Sequence, residues 1–324
     1  MAHAIRMHAT GGPEVLVYEE VEVGDPGPGE ARIRQTAIGL NYIDTYHRSG
    51  LYPLPMPTGI GSEAAGVVEA VGAGVTWLRR GDRVAYSGGP PGAYATERVV
   101  SADRLVKIPD GIDDTTAATL MLKGMTVQYL FRQTYQLKGG ETILFHAAAG
   151  GVGLIACQWA RSLGVTMIGT VGTDDKATLA RANGCAHTVV YTREDFVAKT
   201  KEITGGKGVP VVYDSIGKDT FMQSLDCLQQ RGLLVVYGNA SGPVAAFNLG
   251  VLAQKGSLYV TRPTLFTYAN SRETIQAMAR DVFDLVLAGK IKSEARQEYP
   301  LREAAAAHRA LESRVTTGAT VLLP

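Results

Sequence analysis

Residues His146 to Gly153 read HAAAGGVG, a run of small side chains suited to one kind of chemistry, holding a phosphate by backbone N–H groups. Context decides whether such a run is a dinucleotide turn. Before it, Glu141 to Phe145 includes the β-favourable Thr-Ile-Leu-Phe; after it, Val152, Ile155, Ala156, Trp159, Ala160 and Leu163 recur at helical spacing. A strand therefore hands over to a helix at the glycines. Gly150 permits a tight turn, Gly151 leaves a diphosphate unobstructed and Gly153 lets the helix approach its strand, with Val152 beside them at the helix start. Ala148 replaces the first glycine of the usual G-x-G-x-x-G fingerprint, so the reading rests on strand and helix more than on the glycines.

A second place for chemistry lies roughly 20 residues on, where an NAD-preferring fold sets a carboxylate against the ribose hydroxyls. Gly172 and Thr173 stand there, with Lys176 one turn into the next helix, an arrangement that suits a 2′-phosphate and hence NADPH. Asp174 and Asp175 pull the other way, since a charge pair at about 4 Å is worth up to about 4 kcal/mol near a surface. Both also fit the first turn of a helix capped by Thr173, which is the simpler account.

These residues must be carried by strands and helices, and the chain is long enough for two domains at 324 residues. With 45% hydrophobic and 19% charged residues it has the composition of a globular protein. A formal net charge of +1 gives no reason to expect nucleic acid as a partner. Polar residues interrupt the first ten positions and no apolar run approaches the roughly 20 residues of a membrane span, so a cytoplasmic protein without a membrane partner is expected. Cys157, Cys185 and Cys227 are odd in number and far apart, which suits a reducing compartment.

From Met1 to about Leu120, short alternating runs broken by glycine and proline predict a β-rich lobe. Helical spacing follows near Asp114 to Arg132. Six strands are then predicted between helices, at Thr142–His146, Val165–Val171, His187–Tyr191, Val209–Asp214, Gly232–Gly238 and Ser257–Thr261, the pattern of a doubly wound parallel sheet. Helices near Arg272–Ala288 and Arg302–Glu312 and a last strand at Ala319–Leu323 complete the chain. The division expected is 1–120 with 266–324 as one domain and 121–265 as the other.

GIGSEAAGVVEAVGAGV from Gly59 to Val75 and GDRV from Gly81 to Val84, ahead of a nucleotide-binding half, resemble the medium-chain dehydrogenase/reductase superfamily over essentially the whole chain. NYIDTY at Asn41–Tyr46, RSGLYP at Arg48–Pro53, LKGMTVQYL from Leu122 to Leu130, HAAAGGVG, and VVYDSIG at Val211–Gly217 are similar to its quinone oxidoreductase, or zeta-crystallin-like, branch. The resemblance implies an α/β fold of a GroES-like β-rich catalytic domain and a six-stranded Rossmann domain, NADPH as cofactor, and a homodimer joined through the last Rossmann strand. Zinc members of the superfamily place a cysteine where Asn41 stands and a histidine where Ser62 stands, and neither residue here replaces thiolate or imidazole well. No metal is expected. Glu63 follows, with a structural, hydrogen-bonded carboxylate as its leading reading.

The same resemblance implies which residues meet the ligands. Asn41, Tyr46 and Tyr52 are expected to line the nicotinamide end and the substrate, with Thr126 and Tyr129 nearby; Lys123 is expected there too, with a salt bridge as its competing role. Tyr191 matches a residue beside the 2′-phosphate. Ser215 and Gly217, then Tyr237, Gly238 and Asn239, follow the fourth and fifth strands, where ligands bind in open α/β sheets. Arg262 and Arg314 match family arginines near the cofactor, or are surface ion pairs.

No acid/base constellation is visible, which suits an NADPH-dependent reductase whose acceptor is a small, already electrophilic quinone held in a cleft between the lobes. His146 is a candidate proton donor, with hydrogen bonding to backbone as the commoner fate of a strand-end histidine. An alkenal or enone reductase is the near alternative. A non-catalytic, NADPH-binding crystallin-like protein is the alternative from another class.

Overall fold

Apolar residues in runs of four to six, bounded by glycines, make strands buried on both faces, and the computed structural model, which describes all residues from Met1 to Pro324, places them in a parallel sheet. The chain divides into two compact units, one of Met1–Met125, Ala269–Gly289 and Ser293–Pro324, the other of Thr126–Tyr268 with Lys290–Lys292.

In chain order the first unit begins with β1 (Ala2–Met7), β2 (Val17–Val21), β3 (Glu30–Leu40), α1 (Tyr42–Ser49), β4 (Thr58–Gly59), β5 (Glu63–Val71), β6 (Arg83–Ser87), β7 (Glu97–Ser101) and β8 (Val106–Lys107). α2 (Asp114–Tyr129) follows and runs on as a π-helical turn, Leu130–Thr134, so the predicted helix ends differently from a plain α-helix. The second unit holds β9 (Thr142–Phe145), α3 (Gly151–Ser162), β10 (Thr166–Val171), α4 (Asp174–Ala182), β11 (His187–Val190), α5 (Phe196–Ile203), β12 (Val209–Asp214), α6 (Phe221–Asp226), β13 (Leu228–Val236), α7 (Gly250–Gln254), β14 (Tyr259–Thr261) and α8 (Leu265–Tyr268). The chain closes with α9 (Arg272–Leu287), β15 (Ala295–Pro300), α10 (Ala304–Glu312) and β16 (Ala319–Leu323). No helix is long and apolar enough to cross a membrane.

All six strands predicted for the second unit are present, in the order β11-β10-β9-β12-β13-β14, with every pairing parallel. The order reverses between β9 and β12, the switch point at which open α/β sheets bind ligands beyond the carboxyl ends of their strands. Alternation along the central strands supplies both cores. Leu144, Ile168, Val212 and Leu234 pack on one face, while Phe145 and Tyr213 turn to the other and meet Phe131. β13 begins at Leu228, four residues before the predicted start, because Gly232 interrupts the pattern without ending the strand.

The first unit is built on a seven-stranded sheet, β15-β16-β3-β5-β6-β8 with β7 paired to β3, and a small sheet β2-β1-β4. Its core gathers Ile33, Ile38, Val68, Tyr86 and Tyr94. α1 was not foreseen by alternation. Its signal is a capping box, Asn41 with Asp44 three residues on, in which the Asn41 N–H donates to Asp44 Oδ2 at 2.9 Å.

Candidate functional site

Gly150 is the N-cap of α3 and has no side chain to spend on the first amides, so the helix start keeps its N–H groups for an anion. A Cβ on Gly153 would lie 2.3 Å from the Ala147 carbonyl oxygen, which is why only glycine lets α3 come this close to the turn. Ala148, in place of the first fingerprint glycine, is accommodated from outside: a Cβ on Gly169 of β10 would stand 2.6 Å from the Ala148 methyl. The space vacated at Gly169 is what allows an alanine here.

The loops after β12 and β13 close on each other. Asp214, fully buried, accepts the N–H groups of Ile216 (2.7 Å) and Gly217 (3.1 Å) on one oxygen and the hydroxyls of Thr220 (2.7 Å) and Ser224 (3.1 Å) on the other. This folds Ser215 to Gly217 back over the strand end. A Cβ on Gly238 would fall 2.5 Å from the Ser215 carbonyl, and one on Gly217 would fall 2.7 Å from that of Gly242. Ser215, Gly217, Gly238 and Asn239 are therefore brought together, with Tyr237 adjoining Gly238 and packed on Phe145.

His146 is spent inside this framework. Its Nε2 is 3.0 Å from Ser224 Oγ and its Nδ1 is 2.9 Å from Thr170 Oγ1. The single hydroxyl hydrogen of Ser224 goes to Asp214, so Nε2–H donates to Ser224 and Nδ1 accepts from Thr170. Burial holds the imidazole pKa below its ordinary value, and the neutral ring ties β10 to α6. Side chains, rather than the expected backbone groups, take both ring nitrogens.

At the end of β10, Thr173 caps α4 by accepting the Lys176 N–H at 3.3 Å, as its sequence position suggested. The Tyr191 hydroxyl lies 3.2 Å from where a Cβ on Gly172 would be. Asp174 is held by Arg193, a residue the sequence reading passed over. Tyr129 stacks on Tyr268 with centroids 4.6 Å apart, and burial raises its phenol pKa although the Arg262 charge opposes the shift.

In the first unit the expected ligand-binding residues form two groups. Glu63, fully buried at the start of β5, accepts Asn41 Nδ2 (2.9 Å) and Lys123 Nζ (2.8 Å) on one oxygen and the Leu122 N–H (2.6 Å) on the other. Gly39 makes this possible, since a Cβ there would sit 2.3 Å from the Glu63 carboxylate. Tyr46 and Tyr52 form an edge-to-face pair with centroids 5.2 Å apart, fixed by the Tyr52 N–H on the Tyr46 carbonyl. Arg314 is exposed, in the turn between α10 and β16, with φ near 60°.

Asn41, Ser62 and Glu63 could be tested as a metal site. The donor set does not fit zinc: an ammonium already satisfies the one carboxylate, Asn41 presents its amide hydrogens to that carboxylate, and no cluster of three His, Cys, Asp or Glu side chains exists to hold a metal. The glycine turn, in contrast, fits a dinucleotide, because a bare helix start and a backbone approach barred to any side chain are what its diphosphate requires.

Two family models match in the corresponding places, an alcohol dehydrogenase GroES-like domain over residues 27–110 and a zinc-binding dehydrogenase over residues 151–283. The quinone oxidoreductase of Pseudomonas aeruginosa is 59% identical over 325 residues, covering 100% of both chains. The crystal structure of Escherichia coli quinone oxidoreductase complexed with NADPH is similar with a TM-score of 0.98 at 51% identity, covering 99% of this chain and 100% of that one. A 2-haloacrylate reductase from a Burkholderia species is 51% identical over 100% of this chain and 99% of its own. With a GroES-like β-rich unit, a six-stranded Rossmann sheet and likeness along its full length, the chain belongs to the quinone oxidoreductases of the medium-chain dehydrogenase/reductase superfamily.

Proposed function

We propose that this protein is an NADPH-dependent quinone reductase that works without zinc. The observation that carries the reading is the glycine turn at the switch point of the sheet, in a chain alike from end to end to an NADPH-complexed quinone oxidoreductase. The amides at Gly151 and Val152 would hold the diphosphate, with Gly150, whose N–H donates to the Ala147 carbonyl at 3.0 Å, shaping the turn beneath it, and Gly172, Thr173, Lys176 and Tyr191 would hold the phosphorylated ribose. Ser215, Gly217, Tyr237, Gly238 and Asn239 would flank the carboxyl ends of β12 and β13, with Thr126, Tyr129, Arg262 and Arg314 as further cofactor contacts. Asn41, Tyr46, Tyr52 and Lys123 would face the nicotinamide and the quinone, in a catalytic domain of residues 1–120 and 266–324.

When bound, NADPH supplies two electrons as a hydride. A quinone needs no Lewis acid to accept them, so the work left to the protein is orientation. The paired rings of Tyr46 and Tyr52 offer a face and an edge to a planar acceptor. The Lys123–Glu63 pair, neutral as a unit, fixes the Asn41 amide beside it without drawing on a metal. Steady-state kcat/KM with 1,4-benzoquinone is expected to be much higher with NADPH than with NADH; equal or better use of NADH would overturn the cofactor assignment.

A second reading has its own support in the relative named a 2-haloacrylate reductase, an acrylate being an α,β-unsaturated acid. Rates with a benzoquinone and with an α,β-unsaturated aldehyde, measured side by side, separate the two. We also infer a homodimer formed through β14, which is the edge of its sheet and exposes Tyr259, and a cytoplasmic location that suits three unpaired, buried cysteines.

A further inference from the structure

The corner that follows β10 carries two aspartates, Asp174 and Asp175, where a 2′-phosphate must be received. A free carboxylate at this position would accept the ribose hydroxyls of NADH and repel a phosphate of nearly two negative charges. The structure shows what becomes of one of them. Arg193 reaches across from the loop after β11 and grips Asp174 in a fork, with Nη1 on Oδ2 at 2.6 Å and Nη2 on Oδ1 at 2.5 Å. Both oxygens accept from the guanidinium, which cancels the carboxylate's charge and competes with a ribose diol for its lone pairs.

We infer that Arg193 is the residue that sets coenzyme specificity, by occupying and neutralising Asp174 so that the corner accepts a phosphorylated ribose. The inference rests on the coenzyme reading above. With Arg193 in place, Asp174 and Asp175 are balanced by Lys176 and Arg193; without it the corner is left with one net negative charge. The other nearby charges offset one another: Arg181, which acts on Asp174 through space while bonding the hydroxyls of Thr188 (2.7 Å) and Thr178 (3.1 Å), and Glu194, which acts on Arg193 while accepting the Val190 N–H at 2.7 Å.

The grip is pre-arranged by backbone. The N–H groups of Arg193 and Glu194 both donate to the Val190 carbonyl at 3.0 Å, the Tyr191 N–H donates to Val171, and the Thr192 hydroxyl donates to the Gly172 carbonyl at 3.1 Å. The loop that bears Arg193 is thus stitched to the end of β10 and to Gly172 itself. An exposed ion pair contributes little to stability, so the value of this one lies in the field it leaves at the corner. A bidentate fork also makes lysine a poor substitute.

Calorimetric titration with adenosine 2′,5′-bisphosphate and with ADP tests this without turnover. For Arg193→Gln the ratio of the two affinities is expected to move against the bisphosphate by on the order of tenfold. Asp174→Asn/Arg193→Gln, which removes both charges, is expected to regain most of that loss, because Arg193 is a positioning residue acting through Asp174. A ratio within about twofold of the parent in Arg193→Gln, or a double variant as poor as the single one, overturns the inference. Failure of the unaltered protein to bind either nucleotide would strike the coenzyme reading itself, and this inference with it.

Discussion

Glu63 has three hydrogen-bond donors and no access to water, and its role follows from who those donors are. Lys123 supplies the only formal charge among them, so Lys123→Met strands a carboxylate in the core. That substitution is expected to cost about 3–5 kcal/mol in urea unfolding, with Glu63→Gln/Lys123→Met recovering part of it. A second buried set lies beside it. Asp44 Oδ2 accepts the Tyr94 hydroxyl (2.9 Å), Tyr94 adjoins His308 Nε2 (3.1 Å), and His308 Nδ1 adjoins Arg48, which forks onto Glu312. Burial pushes Asp44 up to about 7, against the pull of the Asn41 N–H and the Tyr94 hydroxyl, while burial and then the Arg48 charge push His308 down to about 3. Asp44 is raised above its unfolded value of 3.8, so its contribution is complete below that pH and is lost as pH rises through about 7. His308 is depressed below 6.5, so its contribution is present above that pH and is lost as pH falls through about 3. The windows overlap and their slopes oppose. Between about pH 4 and 6.5, Asp44→Asn is expected to make the slope of stability against pH more positive than in the parent, and His308→Gln to make it more negative, each by at most about 1.4 kcal/mol per unit. Urea melts across that range read both changes, and changes of one sign in the two variants would refute the pairing.

Elements fix where such residues can meet. α3 approaches the turn only because Gly153 lacks a Cβ, so Gly153→Ala must push the helix off the Ala147 carbonyl. The expected result is a loss of about 1–3 kcal/mol in stability and a larger fractional loss of NADPH affinity, read by thermal melts and calorimetry on one preparation. An unchanged affinity would remove the turn from the binding site. Periodicity made these elements legible: the six apolar strands of the second unit, and the helix after the glycine turn, announce themselves by spacing alone. α1 did not, because its helical face includes the buried polar residues Asp44, Thr45 and Arg48, which read as surface in a hydropathy pattern. Only its capping box was available as a signal.

For the whole molecule, sheet order matters more than any single contact. The reversal between β9 and β12 puts the glycine turn and the Ser215 loop at one end of one sheet. With an ammonium on Glu63 and no metal-holding cluster, prolonged dialysis against EDTA is expected to leave quinone reduction unchanged. Loss of activity restored by zinc would contradict that. At the far end of the sheet, β14 has one neighbour, β13, and a free edge. Light scattering is expected to give twice the mass of 34.4 kDa, and Val260→Pro, which blocks edge pairing, to shift it toward the single chain; a monomeric parent protein would end the dimer proposal.

Local spacing determined the turn, the six strands and the cap at Thr173, because each depends on residues near one another in the chain, and the resemblance to zinc members of the superfamily exposed the mismatch at Asn41 and Ser62, which depends on the identity of single side chains. Tertiary structure decided the partners. That Lys123 would neutralise Glu63 from 60 positions away, that His146 would serve Thr170 and Ser224, and that Arg193 would silence Asp174 depend on distances across the fold. Charge acts through space, at a few ångströms, whatever the separation in sequence.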